Sequence, residues 1–300
     1  MSTYRNAGLF VLLSFLWGSS FMAIKAGLEF LPPVLFAAVR YDIAGIMLLV
    51  YAASTTDYWR PRARADWVVV AIGSVLIIGL YNALLFVGQQ GVTSGVAAIL
   101  IAMNPVLATG FSRLLLPSER LGSVELVGLT AGFVGVGLVA RPSTGGLVGS
   151  DLIAPGLILL AAAAVALGSV LVQRVDSELP TVGTVAWSTV FGALLLHLLS
   201  GGLSAESLAD ATITTETVVI VGYLAVFASA VGYVIYFDLL AQLGAIEINL
   251  VSYTVPVFAA LSGWVVLGES IDWLSIVGFC VIFGGFVLLK HETLGNRIGR

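Results

Sequence analysis

Ten apolar runs, each close to the length of a membrane span, leave this chain few folds to choose from. They are Leu9 to Ile24, Val34 to Ala53, Val68 to Val87, Val96 to Leu116 and Val124 to Ala140, then Leu152 to Val172, Val182 to Leu199, Val218 to Leu240, Ile246 to Leu267 and Trp273 to Leu289. About 20 mostly apolar residues carry a helix across the hydrocarbon of a bilayer. No water satisfies the backbone there, so helices that pair their own amides are expected throughout. The polar balance agrees: charged residues are 10% of the chain, against about 25% in a soluble domain. An all-α membrane protein with ten transmembrane helices is the predicted fold.

A Gly/Ser/Pro-rich connection, Arg141 to Ser150, divides the chain into two halves of five helices, residues 1–145 and 146–300. Lysine and arginine set the orientation. With a cytoplasmic N-terminus, ten fall inside (Arg5, Arg60, Arg62, Arg64, Arg113, Arg120, Arg174, Lys290, Arg297 and Arg300) and three fall outside or near the outer ends (Lys25, Arg40 and Arg141). Both termini are therefore expected in the cytoplasm. Because five is odd, the second half enters from the opposite side, and any repeat between the halves is an inverted one. That is a transporter architecture, with a solute site near the midplane between the halves.

The halves do repeat. A shift of 151 lays Pro105 on Pro256, and a shift of 150 lays Glu119 on Glu269, Gly128 on Gly278 and Gly135 on Gly285. Early in each half the repeat is fainter: Gly18-Ser19 overlays Gly168-Ser169, and Pro32 meets Pro180 only with two residues deleted. Each proline of the first pair interrupts an apolar run, removing one helical hydrogen bond and crowding the carbonyl four residues back. Paired interruptions read as hinges, Pro105 and Pro256, beside a site.

Their polar neighbours are the candidate solute ligands. Asn104 precedes one proline, and Asn249 and Tyr253 share a face before the other. On the third helix Asn82 and Gln89 share a face, and the 151 shift lays Asn82 on Tyr233. Lipid offers such groups nothing, so they either bond other helices or line a wet cavity. Trp17, inside its run and beside Gly18, Ser19 and Ser20, is placed for a cavity, with Trp187 and Trp264 as further candidates; Trp59, Trp67 and Trp273 fit the membrane interface. Arg40 lies about 10 Å into the second helix. It snorkels outward, pairs with an acid such as Glu29 or Glu269 as a gate, or meets an anionic group of the solute.

Other chemistry lacks its residues. There is no GxxxxGK[ST] phosphate loop and no GxSxG serine, and His197 and His291 have no companions at metal-ligand spacing. No catalytic residue, metal, cofactor or nucleic acid is expected, and the one cysteine, Cys280, forms no internal disulfide. Small-residue faces on helix 5 (Gly128, Gly132, Gly135) and helix 10 (Gly278, Gly284, Gly285) serve either internal packing or a homodimer contact. An acidic outer loop, Glu206, Asp210 and Glu216, with only Lys25 and Lys290 as lysines, points to a prokaryotic membrane.

Leu16 to Ser20 (LWGSS), Val39 to Tyr41 (VRY), Asn104-Pro105 with Pro117 to Leu121 (PSERL), and Val255-Pro256 with Leu267 to Ser270 (LGES) together resemble the EamA family of the drug/metabolite transporter superfamily. The resemblance runs from Leu9 to Leu289. It implies two inverted five-helix halves, a cavity lined by helices 1, 3, 4, 6, 8 and 9, and helices 5 and 10 at the periphery. Trp17, Asn104, Glu119 and Glu269 match the family pattern. It implies an exporter of small metabolites, amino acids or amphipathic drugs working by alternating access in a plasma membrane. A channel-like facilitator, or an intramembrane lipid-processing enzyme, is the alternative.

Overall fold

A computed structural model describes residues 3–115, 123–140, 152–203, 206, 208–244, 248, 250–270 and 272–289. The apolar runs fold as helices, and no strand occurs among the described residues. The first half holds α1 (Thr3–Gly27), α2 (Pro33–Thr55), α3 (Arg64–Gln89), α4 (Ser94–Leu115) and α5 (Ser123–Ala140). The second holds α6 (Ile153–Val172), α7 (Thr181–Gly202), α8 (Thr215–Leu243), α9 (Val251–Leu267) and α10 (Trp273–Leu289). Seven are long and apolar enough to cross a membrane, and α5, α9 and α10 contribute shorter apolar stretches. Pro32 and Pro180 precede α2 and α7 in the same extended conformation, φ −55° and −54°, where a missing N–H costs the helix nothing.

Most of the larger packings join one half to the other. α1 lies on α9 and α6 on α4; α3 lies on α6 and α8 on α1; α3 also meets α7, and α8 meets α2. Exchanging each helix for its partner five places on turns one member of each pair into the other. The pairs α2 with α7, α4 with α9 and α5 with α10 exchange into themselves. An inverted duplication produces this pattern, because equivalent faces find equivalent partners about a single pseudo-twofold axis.

The glycine faces of α5 and α10 are spent on each other. A Cβ on Gly128 would fall 2.6 Å from the carbonyl oxygen of Gly285, and one on Gly135 2.6 Å from that of Gly278. Backbones this close are the internal packing that was one of the two expected uses of these faces, while Gly284 meets nothing within 4 Å. Two expectations change. The Trp187 ring stacks on Trp59 with centroids 6.1 Å apart, and its indole N–H donates to the Trp59 carbonyl, so it belongs to a belt with Trp67 and Phe191 at the arginine-rich end. Trp264 is 65% exposed and faces the lipid side.

A candidate solute site between the halves

Two helices change their winding at equivalent places, one against α6 and α7 and the other against α1 and α2. α3 is π-helical over Gly73–Leu80 and α8 over Tyr223–Val231, and a shift of 150 lays Gly73 on Tyr223. Wider turns misalign backbone carbonyls from their usual donors, and side chains fill in. Asn82 donates to the Ile78 carbonyl at 2.7 Å, and Trp17 donates through its indole N–H to that of Ala228 at 3.1 Å. Gly232, just past the second stretch, makes room for this indole: a Cβ there would lie 2.8 Å from the Trp17 nitrogen.

Around the second stretch lies an aromatic and polar cluster. Trp17 packs on Tyr233 and Tyr236 with ring centroids 6.2 and 5.6 Å apart. Ser19 and Tyr223 share a hydrogen bond of 2.6 Å. Arg40 is 7% exposed, donates through Nε to the Ser229 hydroxyl at 3.0 Å, and has its guanidinium carbon 5.0 Å from the Tyr41 ring centroid. Tyr81, Tyr223 and Tyr233 stand near enough to feel its charge. No carboxylate among the described residues pairs with Arg40, so the expected ion pair with Glu29 or Glu269 is not present.

Asn82 is 1% exposed and Gln89 0%, and each leaves its side-chain carbonyl oxygen without a donor. Asn104, beside the break at Ala102–Met103, leaves its Oδ1 unpaired too. Tyr253 is buried, but its ring packs on Phe283 and Phe286 of α10, with centroids 5.1 and 4.7 Å away, and its hydroxyl has no partner. Its address in this conformation is the α9–α10 contact rather than the Trp17 cluster. Asn249 lies outside the described residues, as does Glu119. The two prolines also differ locally. Pro105 is the second residue of a helical segment that restarts at Asn104, whereas Pro256 sits inside the unbroken α9.

At the end of the bundle remote from Arg60, Arg62 and Arg64, a set of contacts ties α1 and α9 to α3 and α4. Gln89 donates to the Phe21 carbonyl, and Lys25 donates to the carbonyls of Gln89 and Gln90 at 3.0 and 2.8 Å. Glu269, just past α9, accepts from the Ser94 N–H at 3.1 and 2.9 Å, which caps α4. A cavity of about 360 Å³ opens beside these ties, lined by Ala26, Glu29, Phe30, Glu216, Ile220 and Leu267. It is an outer-rim cavity between α1, α8 and the end of α9. Tyr81, Tyr223, Ser229 and both π-wound stretches are absent from the sequence reading; the equivalence of Tyr223 with Gly73 gave no signal, since the residue types differ.

Ten helices in two inverted halves, with polar groups gathered where they meet, define a membrane transporter. The model of the EamA-like transporter family matches residues 6–141 and 152–290, and the chain belongs to that family. It is 30% identical over 292 residues to the uncharacterized inner membrane transporter YedA of Escherichia coli K12, covering 97% of this chain and 91% of that one. Identity is 26% to the uncharacterized transporter YvbV of Bacillus subtilis, with 98% and 94% covered, and 26% to a probable amino-acid metabolite efflux pump of Salmonella typhimurium, with 99% and 97% covered. A solved crystal structure, 21% identical, superposes with a TM-score of 0.66 over the whole of both chains and shows the same fold. The protein is a multi-pass cell-membrane protein.

Proposed function

We propose that the chain is a secondary active transporter, with no enzymatic activity, that exports small amphipathic metabolites, amino acids or drugs by alternating access. Each sequence half, 1–145 and 146–300, is one five-helix repeat unit. The solute sits against Trp17, Asn82, Asn104, Tyr233 and Asn249, with Gln89 at the outer mouth and Tyr253 joining when α9 shifts. Pro105 and Pro256 serve as hinges. The observation that carries the reading is the pair of π-wound stretches at equivalent places in the two halves, with aromatic rings gathered against the second and the unpaired acceptors of Asn82 and Gln89 just past the first. Interrupted helices at equivalent places in inverted halves are where such proteins hold solute.

In this reading the moving bodies draw helices from both sequence halves. Packing joins α1, α8 and α9 into one group and α3, α4 and α6 into its exchange partner. The ties from Lys25, Gln89 and Glu269 run between these groups at the outer end, so their release opens the site outward. Asn82→Ala and Tyr233→Ala in reconstituted vesicles are expected to cut flux of a transported amino acid or cationic dye at least about tenfold, the loss of one good contact, with folded yield unchanged. Trp264→Ala, on the lipid side, is the control that leaves flux as it was. Unchanged flux in both site variants would remove the cluster from the transport path.

A further inference from the structure

Arg40 has a feature the transporter reading does not use. It is 7% exposed, seven residues into α2, and Ser229 occupies only its Nε. The two terminal nitrogens have no hydrogen-bond or ion-pair partner among the described residues, and the ring of Tyr41 and the nearby Tyr81, Tyr223 and Tyr233 supply no formal negative charge. A guanidinium carries five N–H donors and stays charged at any physiological pH. Held at membrane depth without a counter-charge, it is expensive to keep, and residues in that position mark ion or substrate paths. The structural alternatives fail on geometry: Glu269 is committed to the Ser94 N–H, Glu206 to the N–H groups of Val34 and Leu35, and Asp42 to His197.

We infer that Arg40 is the docking point for an oxyanion of the solute, a carboxylate or phosphate, whose apolar body lies on Trp17 and Tyr233. The inference rests on the transporter reading and narrows it from amphipathic solutes in general to organic anions and zwitterions. Ser229 holds Nε and so leaves the fork of terminal nitrogens for two parallel N–H bonds to the two oxygens of the anion. Arg40 touches the solute directly; Ser229 is a positioning residue.

The test uses the full-length protein in detergent and in proteoliposomes, with three probes sharing one ring: 3-phenylpropionate, phenyl phosphate and 2-phenylethylamine. The expected result is that at least one of the two oxyanions raises the thermal midpoint of the wild type, as a ligand of the folded state does, while the amine does not. The wild-type ranking of phenylpropionate against phenyl phosphate identifies which oxyanion fits. Arg40→Gln weakens that binding at least about tenfold, and Arg40→Lys, which keeps the charge but not the fork, falls between. Without any probe, Arg40→Gln raises the midpoint, since it removes an uncompensated buried charge; a merely structural arginine would lower it. Stabilisation by neither oxyanion, or by the amine as strongly as by the oxyanions, or an Arg40→Gln protein that binds them as well as wild type, would overturn the inference. Vesicles that exchange cationic or neutral solutes independently of Arg40 would overturn it while leaving the transporter reading standing; vesicles that exchange no solute of any charge would remove both.

Discussion

Both carboxylate oxygens of Glu269 accept from the backbone N–H of Ser94, so a side chain just past α9 caps the first turn of α4. A carboxylate at a helix N-terminus satisfies an amide that has no partner in the helix and complements its dipole. Glu269→Ala should lower stability by about 1 kcal/mol, read as a midpoint lower by a few degrees. Its second effect is functional: with the exposed Cys280 replaced by alanine, a cysteine introduced in place of the buried Asn82 should react faster with a water-soluble thiol reagent added outside when Glu269 is alanine. An unchanged midpoint together with an unchanged labelling rate would mean that the contact closes nothing.

The α5–α10 contact makes a sharper stability prediction because it comes with an internal control. A Cβ at Gly285 would lie 2.5 Å from the Gly128 carbonyl, whereas one at Gly137 meets nothing within 4 Å. Gly285→Ala should therefore destabilise by about 1–3 kcal/mol through overpacking, and Gly137→Ala should not. Thermal denaturation in detergent compares the two, and equal midpoints would contradict the packing described.

His197 and Asp42 form a hydrogen-bonded pair of 2.7 Å between α7 and α2. Removing one partner leaves the other unsatisfied on a surface that lipid covers, at a cost of about 1–3 kcal/mol. The double variant Asp42→Ala/His197→Ala should lose less than the sum of the single variants. A double-mutant cycle measures the difference, and strict additivity would show that the pair is not coupled.

Outside the membrane spans, Tyr58 donates its hydroxyl to Asp66, which raises the tyrosine above its ordinary value of 10.0. The sign follows: the contact contributes fully below the unfolded tyrosine value and is lost as pH rises through the higher folded one. The phenolate absorbance of the wild type minus that of Tyr58→Phe should show one tyrosine that ionises above the ordinary value. A difference that titrates at the ordinary value would contradict the bond.

The ten spans and the inversion were legible because hydropathy, run length and the odd helix count per half are all written in residue types. The glycines of α5 and α10 were legible as a small face but not as each other's partner, since spacing along one helix says nothing of what covers it. Trp17 and Tyr233 meet as their positions implied. Tyr253 does not join them, because its helical face is shared between the site and α10, and two phenylalanines decide the matter. The π-wound stretches were invisible: Gly73–Leu80 and Tyr223–Val231 are as apolar as ordinary helix, and hydrogen-bond register leaves no mark on hydropathy. Arg40 was conspicuous as a charge in an apolar run, yet only the folded chain places Ser229 against it.

The central claim is that one site between α1, α8 and α9 on one side and α3, α4 and α6 on the other serves the two faces of the membrane in turn. Solute counterflow tests it most directly: proteoliposomes loaded with unlabelled solute are diluted into a trace of the same solute in labelled form. Alternating access predicts a transient, saturable accumulation of label that depends on the internal load and collapses in Asn82→Ala and Tyr233→Ala. Uptake that rises linearly with concentration and ignores the internal load would be the behaviour of a channel and would contradict the claim.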